Sequence, residues 1–292
     1  MSDPGRGLTE KLVTARGRRF RTVHAGTGDP LVVFESGLGA GASLWAEVQR
    51  QVATHTATLA YDRAGHGTSS PPKDGRLFAD LNADLEAVLD ALGHEGPIVL
   101  VGQSWGGPAI RAFAHSTRRP VAGLVIVDGT NSVAMSAEQA KGLHVFFAIL
   151  GKATWLQLHR RWRGKLLKGI TTGLAEDDSK RVLRDMNSGR SVRAGAAECR
   201  GLTVEMGRLA DLESKGFPAG ASVTFLSATV AEPGTEEMRQ RFVAAQAAEA
   251  ETFGARLVVV DSSRHDIHMQ EPGIVADEIV RIVEAAKTRS TR

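Results

Sequence analysis

Eight short runs of β-branched and other apolar residues alternate with amphipathic stretches along most of this 292-residue chain, and that alternation narrows the available architectures more than any other feature. Strands are expected at 11–15, 19–25, 31–35, 56–61, 97–102, 122–128, 222–227 and 256–261. Leu77, Leu81, Leu85, Val88, Leu89 and Leu92 recur every three or four residues, which puts them on one face of a helix. Val275, Ile279, Ile282 and Val283 mark a second such helix near the C-terminus. Strands joined through helices run parallel, so the expected class is α/β, an eight-stranded, mostly parallel sheet with helices on both faces. The alternation stops over residues 130–218. That stretch holds no convincing strand but several helical segments rich in large apolar residues, among them Leu143, Phe146, Phe147, Leu150, Trp155, Trp162, Leu166, Met186, Met206 and Leu209. It is too long for a loop and reads as an inserted helical cap, with 1–129 and 219–292 as the core. The first few residues and the tail 287–292 are expected to fray.

Composition removes several classes of function. A 42% hydrophobic content supplies a sizeable core, and no apolar run approaches the length that spans a bilayer. The N-terminal residues lack the apolar segment of a secretory leader, so the expectation is a cytoplasmic protein without a membrane partner. Cys199 is the single cysteine, with no partner for an internal disulfide, as suits a reducing compartment. The net charge of +3 is spread along the chain. Its one dense basic cluster, residues 159–165, reads as a solvated helix face, and no nucleic-acid partner is expected. Histidines and carboxylates lack the clustered spacing of a ligand set, so no metal is expected. Composition and patterning leave the oligomeric state open.

The chemistry gathers where expected strands end. Gly102-Gln103-Ser104-Trp105-Gly106 lies between the apolar run 97–101 and a helix-like stretch, 107–115. A serine flanked two residues away on both sides by glycine fits a tight strand-to-helix turn. Such a turn holds the hydroxyl out at the sheet edge, with the Trp105 N–H aimed at the same point. Acyl transfer needs a nucleophile, a base, an anion that orients the base, and donors for the oxyanion. His265 follows the last strand in Ser262-Ser263-Arg264-His265-Asp266-Ile267-His268-Met269-Gln270-Glu271-Pro272, with His268 as the other candidate base. Asp128 follows the sixth strand and is a candidate anion or, alternatively, a turn cap. Glu35-Ser36-Gly37-Leu38-Gly39-Ala40-Gly41 follows the third strand, and its glycines let a backbone N–H, that of Leu38, face Ser104. Glu35 reads either as a buried acceptor or as a substrate contact. Arg63 and His66, within Tyr61-Asp62-Arg63-Ala64-Gly65-His66-Gly67-Thr68-Ser69, read as braces for that loop.

Together these segments resemble the α/β-hydrolase superfamily, in particular its capped, esterase-like and lactonase-like members, over about residues 10–286. Four motifs carry the resemblance: the serine elbow, the glycine loop, the D-R-x-G-x-G-x-S segment and the terminal H-x-x-H-x-x-x-P run. It implies Ser104 as nucleophile, His265 as base, Leu38 and Trp105 as oxyanion donors, and no cofactor. Two departures stand out. Ser36-Gly37 replaces the His-Gly of many relatives. The loop after the seventh strand, where most relatives carry the acid, reads Ser227-Ala228-Thr229-Val230-Ala231-Glu232-Pro233 and lacks aspartate. A subset of the superfamily draws its acid from the end of the sixth strand, so Asp128 is the preferred acid and Glu232 the alternative. The expected function is a cofactor-independent serine hydrolase that cleaves an ester, lactone or thioester of a small apolar molecule through an acyl-enzyme. A carbon–carbon bond hydrolase or lyase on the same residues is one alternative. A ligand-binding receptor with slow turnover is another.

Overall fold

The computed structural model describes residues 7–73, 76–133, 174–186 and 188–290, together with Lys141, Gly142, Val145, Ile149 and Thr171. The aromatic residues expected to fill the inserted segment between 143 and 166, and the basic cluster at 159–165, lie outside the described residues.

All eight expected strands form, with ends moved by at most two residues. They are β1 (Thr9–Ala15), β2 (Arg18–Ala25), β3 (Leu31–Glu35), β4 (Thr58–Tyr61), β5 (Ile98–Gln103), β6 (Val121–Val127), β7 (Ser222–Ala228) and β8 (Arg256–Val260). They make one sheet in the order β1-β2-β4-β3-β5-β6-β7-β8. The β1–β2 and β2–β4 pairs are antiparallel, and every pair from β4 to β8 is parallel.

Alternate side chains of the central strands feed two separate cores, as a period of two requires. On one face Val32, Phe34, Val99, Val101, Val125 and Val127 pack against α1 (Ala46–Val52) and α9 (Pro272–Ser290), through Val48 and Val52 of the first and Val275, Ile279 and Val283 of the second. On the other, Val33, Leu59, Ile98, Leu100, Leu124 and Ile126 meet Leu85 and Leu89 of α2 (Phe78–Ala91) and Ile110 and Phe113 of α3 (Gly106–Ser116). Each of these large side chains, fully withdrawn from water, contributes roughly 1.5–3 kcal/mol. The first turn of α2 is closed by Asp80, whose carboxylate accepts the Leu77 N–H at 3.1 Å.

Three helices described between β6 and β7 pack on loops at the carboxyl edge of the sheet: α4 (Glu176–Met186), α5 (Gly189–Met206) and α6 (Leu209–Ser214). Val182 and Met186 join Ala40, Leu44 and Met269, whereas Leu202, Met206 and Leu209 join Phe78 and Trp105. After β7 come α7 (Glu236–Thr252) and the short α8 (Ile267–Gln270). The C-terminal expectation needs correction. Residues 287–290, expected to fray, continue α9, and Lys287 Nζ donates to the His55 carbonyl at 2.8 Å.

Candidate active site

The strand order reverses between β3 and β5, because β4 lies on the far side of β3. In an open parallel sheet the crevice at such a reversal lies outside the carboxyl ends of the strands. The loop after β3 and the turn after β5 meet there.

Ser104 follows β5 with φ of +53°, a conformation that non-glycine residues rarely adopt. The flanking glycines make the turn possible. A Cβ on Gly102 would stand 2.3 Å from the Gly106 carbonyl oxygen, and one on Gly106 would stand 2.4 Å from that of Glu35. The turn is fixed on both sides, by Ser104 N–H to the Val127 carbonyl at 3.1 Å and by the Ser104 carbonyl accepting Thr130 N–H at 3.0 Å. Among the described residues the Ser104 hydroxyl has no hydrogen-bond partner. It stands at the N-terminus of α3, where the helix dipole favours negative charge.

His265 is carried on the loop after β8. Gln270 Oε1 ties that loop by accepting Arg264 N–H at 2.9 Å and the Ser263 hydroxyl at 3.1 Å, and Gln103 Nε2 donates to the His265 carbonyl at 3.4 Å. The His265 ring is partly exposed, and its Nδ1 lies 2.6 Å from Asp128 Oδ2. Asp128 is fully buried and follows β6 with φ of +44°. Its Oδ1 accepts Ala228 N–H at 3.1 Å, and Arg239 Nη1 donates to Oδ1 at 2.9 Å and to Oδ2 at 2.8 Å. Burial pulls the His265 pKa down, but the Asp128 hydrogen bond and charge, with Asp266, outweigh it and lift the pKa above the ordinary histidine value; Arg239 opposes the lift. His268 differs. It is buried against Trp45 with ring centroids 4.6 Å apart, and burial, helped by the charge of His265, lowers its pKa to about 3. Glu232 is exposed and has Arg264 Nε at 3.6 Å; the structure does not bring it to His265.

The glycine loop lies against the elbow. A Cβ on Gly37 would stand 3.2 Å from Ser104 Cβ and 2.4 Å from Gln103 Oε1. That contact sets the next residue, Leu38, beside Ser104. Among the described residues neither the Leu38 nor the Trp105 N–H is taken by a hydrogen bond, and the Trp105 ring stacks on Phe78 at 4.8 Å. Arg63 grips the loop from beneath, donating to the Ser36 carbonyl at 2.6 Å and to the Gly37 carbonyl at 2.7 Å. Glu35 is buried and accepts from Tyr61 and Arg63, which makes it part of this brace rather than a group open to a substrate.

Local sequence patterns missed Glu198. This buried carboxylate on α5 accepts Gly39 N–H at 3.0 Å, Arg63 Nε at 2.7 Å and Arg76 Nη2 at 2.6 Å, with His66 Nε2 at 2.9 Å. Burial acts to raise its pKa, but Arg63, His66 and Arg76 together hold it well below the carboxylate range. The only local signal is a glutamate on the buried stripe of α5, in register with Ala194 and Leu202. Cys199, its neighbour, is an inert thiol, its pKa pushed up to about 12 by burial. Among the described residues no cluster of three His, Cys, Asp or Glu side chains is arranged to hold a metal, and no helix is long and apolar enough to cross a membrane.

Residues 30–152 match the family model for the α/β hydrolase fold. A probable transporter of Hormonema carpetanum is 35% identical over 105 residues, 35% of this chain and 15% of that protein. The chain aligns with less than half the length of the first curated relatives that it matches. Among solved structures, a thermophilic esterase from Thermogutta terrifontis superposes with a TM-score of 0.72 at 18% identity, covering 95% of this chain and 99% of the esterase. An epoxide hydrolase from an endophytic Streptomyces superposes with a TM-score of 0.75 at 16% identity, covering 97% of each chain. At such identities the likeness establishes the fold.

Proposed function

We propose that this chain is a member of the α/β-hydrolase superfamily and a cofactor-independent serine hydrolase that cleaves an ester, lactone or thioester of a small apolar molecule through an acyl-enzyme. The observation that carries the reading is the 2.6 Å contact between His265 Nδ1 and Asp128, formed at the same carboxyl edge of the sheet as a serine held at a strained turn with its hydroxyl unengaged. With Nδ1–H donated to the carboxylate, the lone pair on Nε2 is left to accept the Ser104 proton. Attack on a carbonyl then places an oxyanion against the Leu38 and Trp105 N–H groups. Each such donor is worth about 10²–10³ in rate. The imidazolium, stabilised by Asp128, returns its proton to the leaving group, and His265 next activates the water that releases the acid.

Ser104 also separates this reading from the chemistry named for the epoxide hydrolase neighbour. Serine attack on an epoxide carbon would leave an alkyl ether, which water does not cleave under the same catalysis; attack on a carbonyl leaves an ester, which it does. The helices of the inserted segment, in this reading, form a cap over the carboxyl edge and set the width of the acyl site. The test is turnover on a panel of p-nitrophenyl esters and simple lactones, in wild type and Ser104→Ala. Hydrolysis of short and medium acyl esters by wild type is expected, with a residual rate of about 10³ over water in the variant. A folded variant retaining more than about a tenth of wild-type turnover would exclude the covalent route.

A further inference from the structure

Arg239 stands in the first turn of α7, and no local motif distinguishes it. Its guanidinium is largely buried, with Nη1 bridging both oxygens of Asp128 and reaching toward the Ala228 carbonyl at 3.4 Å, while its Cζ lies 4.9 Å from the centre of the Phe242 ring. Asp128 therefore has two cationic partners on one carboxylate: Arg239 on both oxygens and, once protonated, His265 on Oδ2. A carboxylate on a left-handed backbone position at a strand end has few neighbours to fix its rotamer. Here Ala228 N–H and Arg239 do so.

Resting on the hydrolase reading above, we propose that Arg239 is a positioning residue, which locks the Asp128 carboxylate toward His265 Nδ1 and tunes the acidity of His265 by competing for the same oxygen. Two consequences follow from charge. Arg239 donates charge-assisted hydrogen bonds to both Asp128 oxygens, which holds the carboxylate in the rotamer that faces the imidazole. It also disfavours the imidazolium, so the neutral base is available at a lower pH than the Asp–His pair alone would allow. Among the described residues, the other charged or titratable groups near His265 are Asp266 and His268 on its own loop and helix, and Arg264 and Glu232 at the loop mouth. Among the described residues, only Arg239 touches the oxygen that His265 uses.

The test is an NMR titration of His265, assigned with His265→Gln, in wild type, Arg239→Gln and Arg239→Lys. It is run beside the pH dependence of kcat/KM for p-nitrophenyl butyrate and of Ser104 phosphonylation by a fluorophosphonate. In Arg239→Gln the His265 midpoint should rise by about 0.5–1 pH unit, carrying the rising limb of both profiles with it. The plateau of kcat/KM should fall about tenfold through kcat, as the freed carboxylate samples other rotamers. Arg239→Lys should bring the midpoint back to within about 0.2 unit of wild type, since the charge is retained. If Arg239→Gln fails to fold, Arg239→Met keeps the apolar stem over Phe242 and takes its place. A midpoint moved by less than about 0.2 unit overturns the proposal, as does an equal shift in the glutamine and lysine variants, which would mark packing alone. The titration reads Arg239 whether or not esters are cleaved. Absence of both turnover and phosphonylation in wild type would retire the hydrolase reading while a moved midpoint still upheld the role of Arg239.

Discussion

Ser104 and Asp128 both hold left-handed backbone, at φ of +53° and +44°, and both sit where a strand gives way to the site. Such positions cost on the order of 1–3 kcal/mol each and persist where the surroundings over-determine them. Around Asp128 that determination comes from Ala228, Arg239 and His265, three groups the carboxylate holds at once. Asp128→Asn should therefore cripple turnover, by up to about 10⁴, since an amide cannot fix the imidazole tautomer or stabilise the imidazolium. Glu232→Gln, on the exposed loop, should leave kcat within about twofold. Steady-state kinetics on the two folded variants decides it, and a crippled Glu232→Gln with an unaffected Asp128→Asn would reverse the assignment. The sequence left these two acids open for a physical reason. Which carboxylate reaches His265, 137 residues beyond Asp128, depends on where neighbouring strands end, and neither loop carries that information by itself.

The strands, the serine turn and the glycine loop were legible because their signals are local. An alternation of two positions, a stripe of three or four, or glycines two residues either side of a serine can all be read within one element. Glu198 was not legible, since its partners Gly39, Arg63, His66 and Arg76 are far away in the chain and leave no period behind. It ties α5 to the loop bearing Leu38, so an element outside the central sheet helps to hold one of the two proposed oxyanion donors. Glu198→Gln keeps the volume but removes the charge that faces Arg63, Arg76 and His66. It should lower kcat on p-nitrophenyl butyrate by about 10–100-fold, with KM changed much less, because the donor is used chiefly in the transition state. Loss through KM alone would show that Glu198 shapes the substrate site instead. A buried carboxylate stripped of its charge also costs stability, about 3–5 kcal/mol when one partner of a buried pair is lost, so activity is compared at a temperature where circular dichroism shows both proteins folded.

Across the whole molecule, buried and half-buried histidines tie stability to pH in a definite direction. His268 and His24 have folded pKa values of about 3 and about 4, in each case chiefly through burial. Unfolded, each takes up a proton near pH 6.5. Their contribution is thus complete above about pH 6.5 and is lost as the pH falls toward their folded values. His265 works the other way: its raised pKa contributes stability at low pH that disappears as the pH rises through the folded value. The thermal midpoint of wild type should fall between pH 7 and 5, and His268→Gln should flatten that fall; an equally steep fall in the variant would assign the acid sensitivity elsewhere. What the fold does as a whole is bring the ends of β3, β5, β6 and β8 to one edge of the sheet, where Gly37 lies against Ser104 and His265 reaches Asp128 although the chain separates them widely. The claim that this site performs covalent acyl transfer is tested most directly by mixing the protein with p-nitrophenyl butyrate, quenching in acid within the first turnovers, and mapping the protein by peptide mass spectrometry. A butyryl group on the peptide containing Ser104, absent from Ser104→Ala and decaying as product appears, is the predicted result. Hydrolysis at full rate with no acyl group on Ser104 at any time, or with the group on another residue, would contradict it.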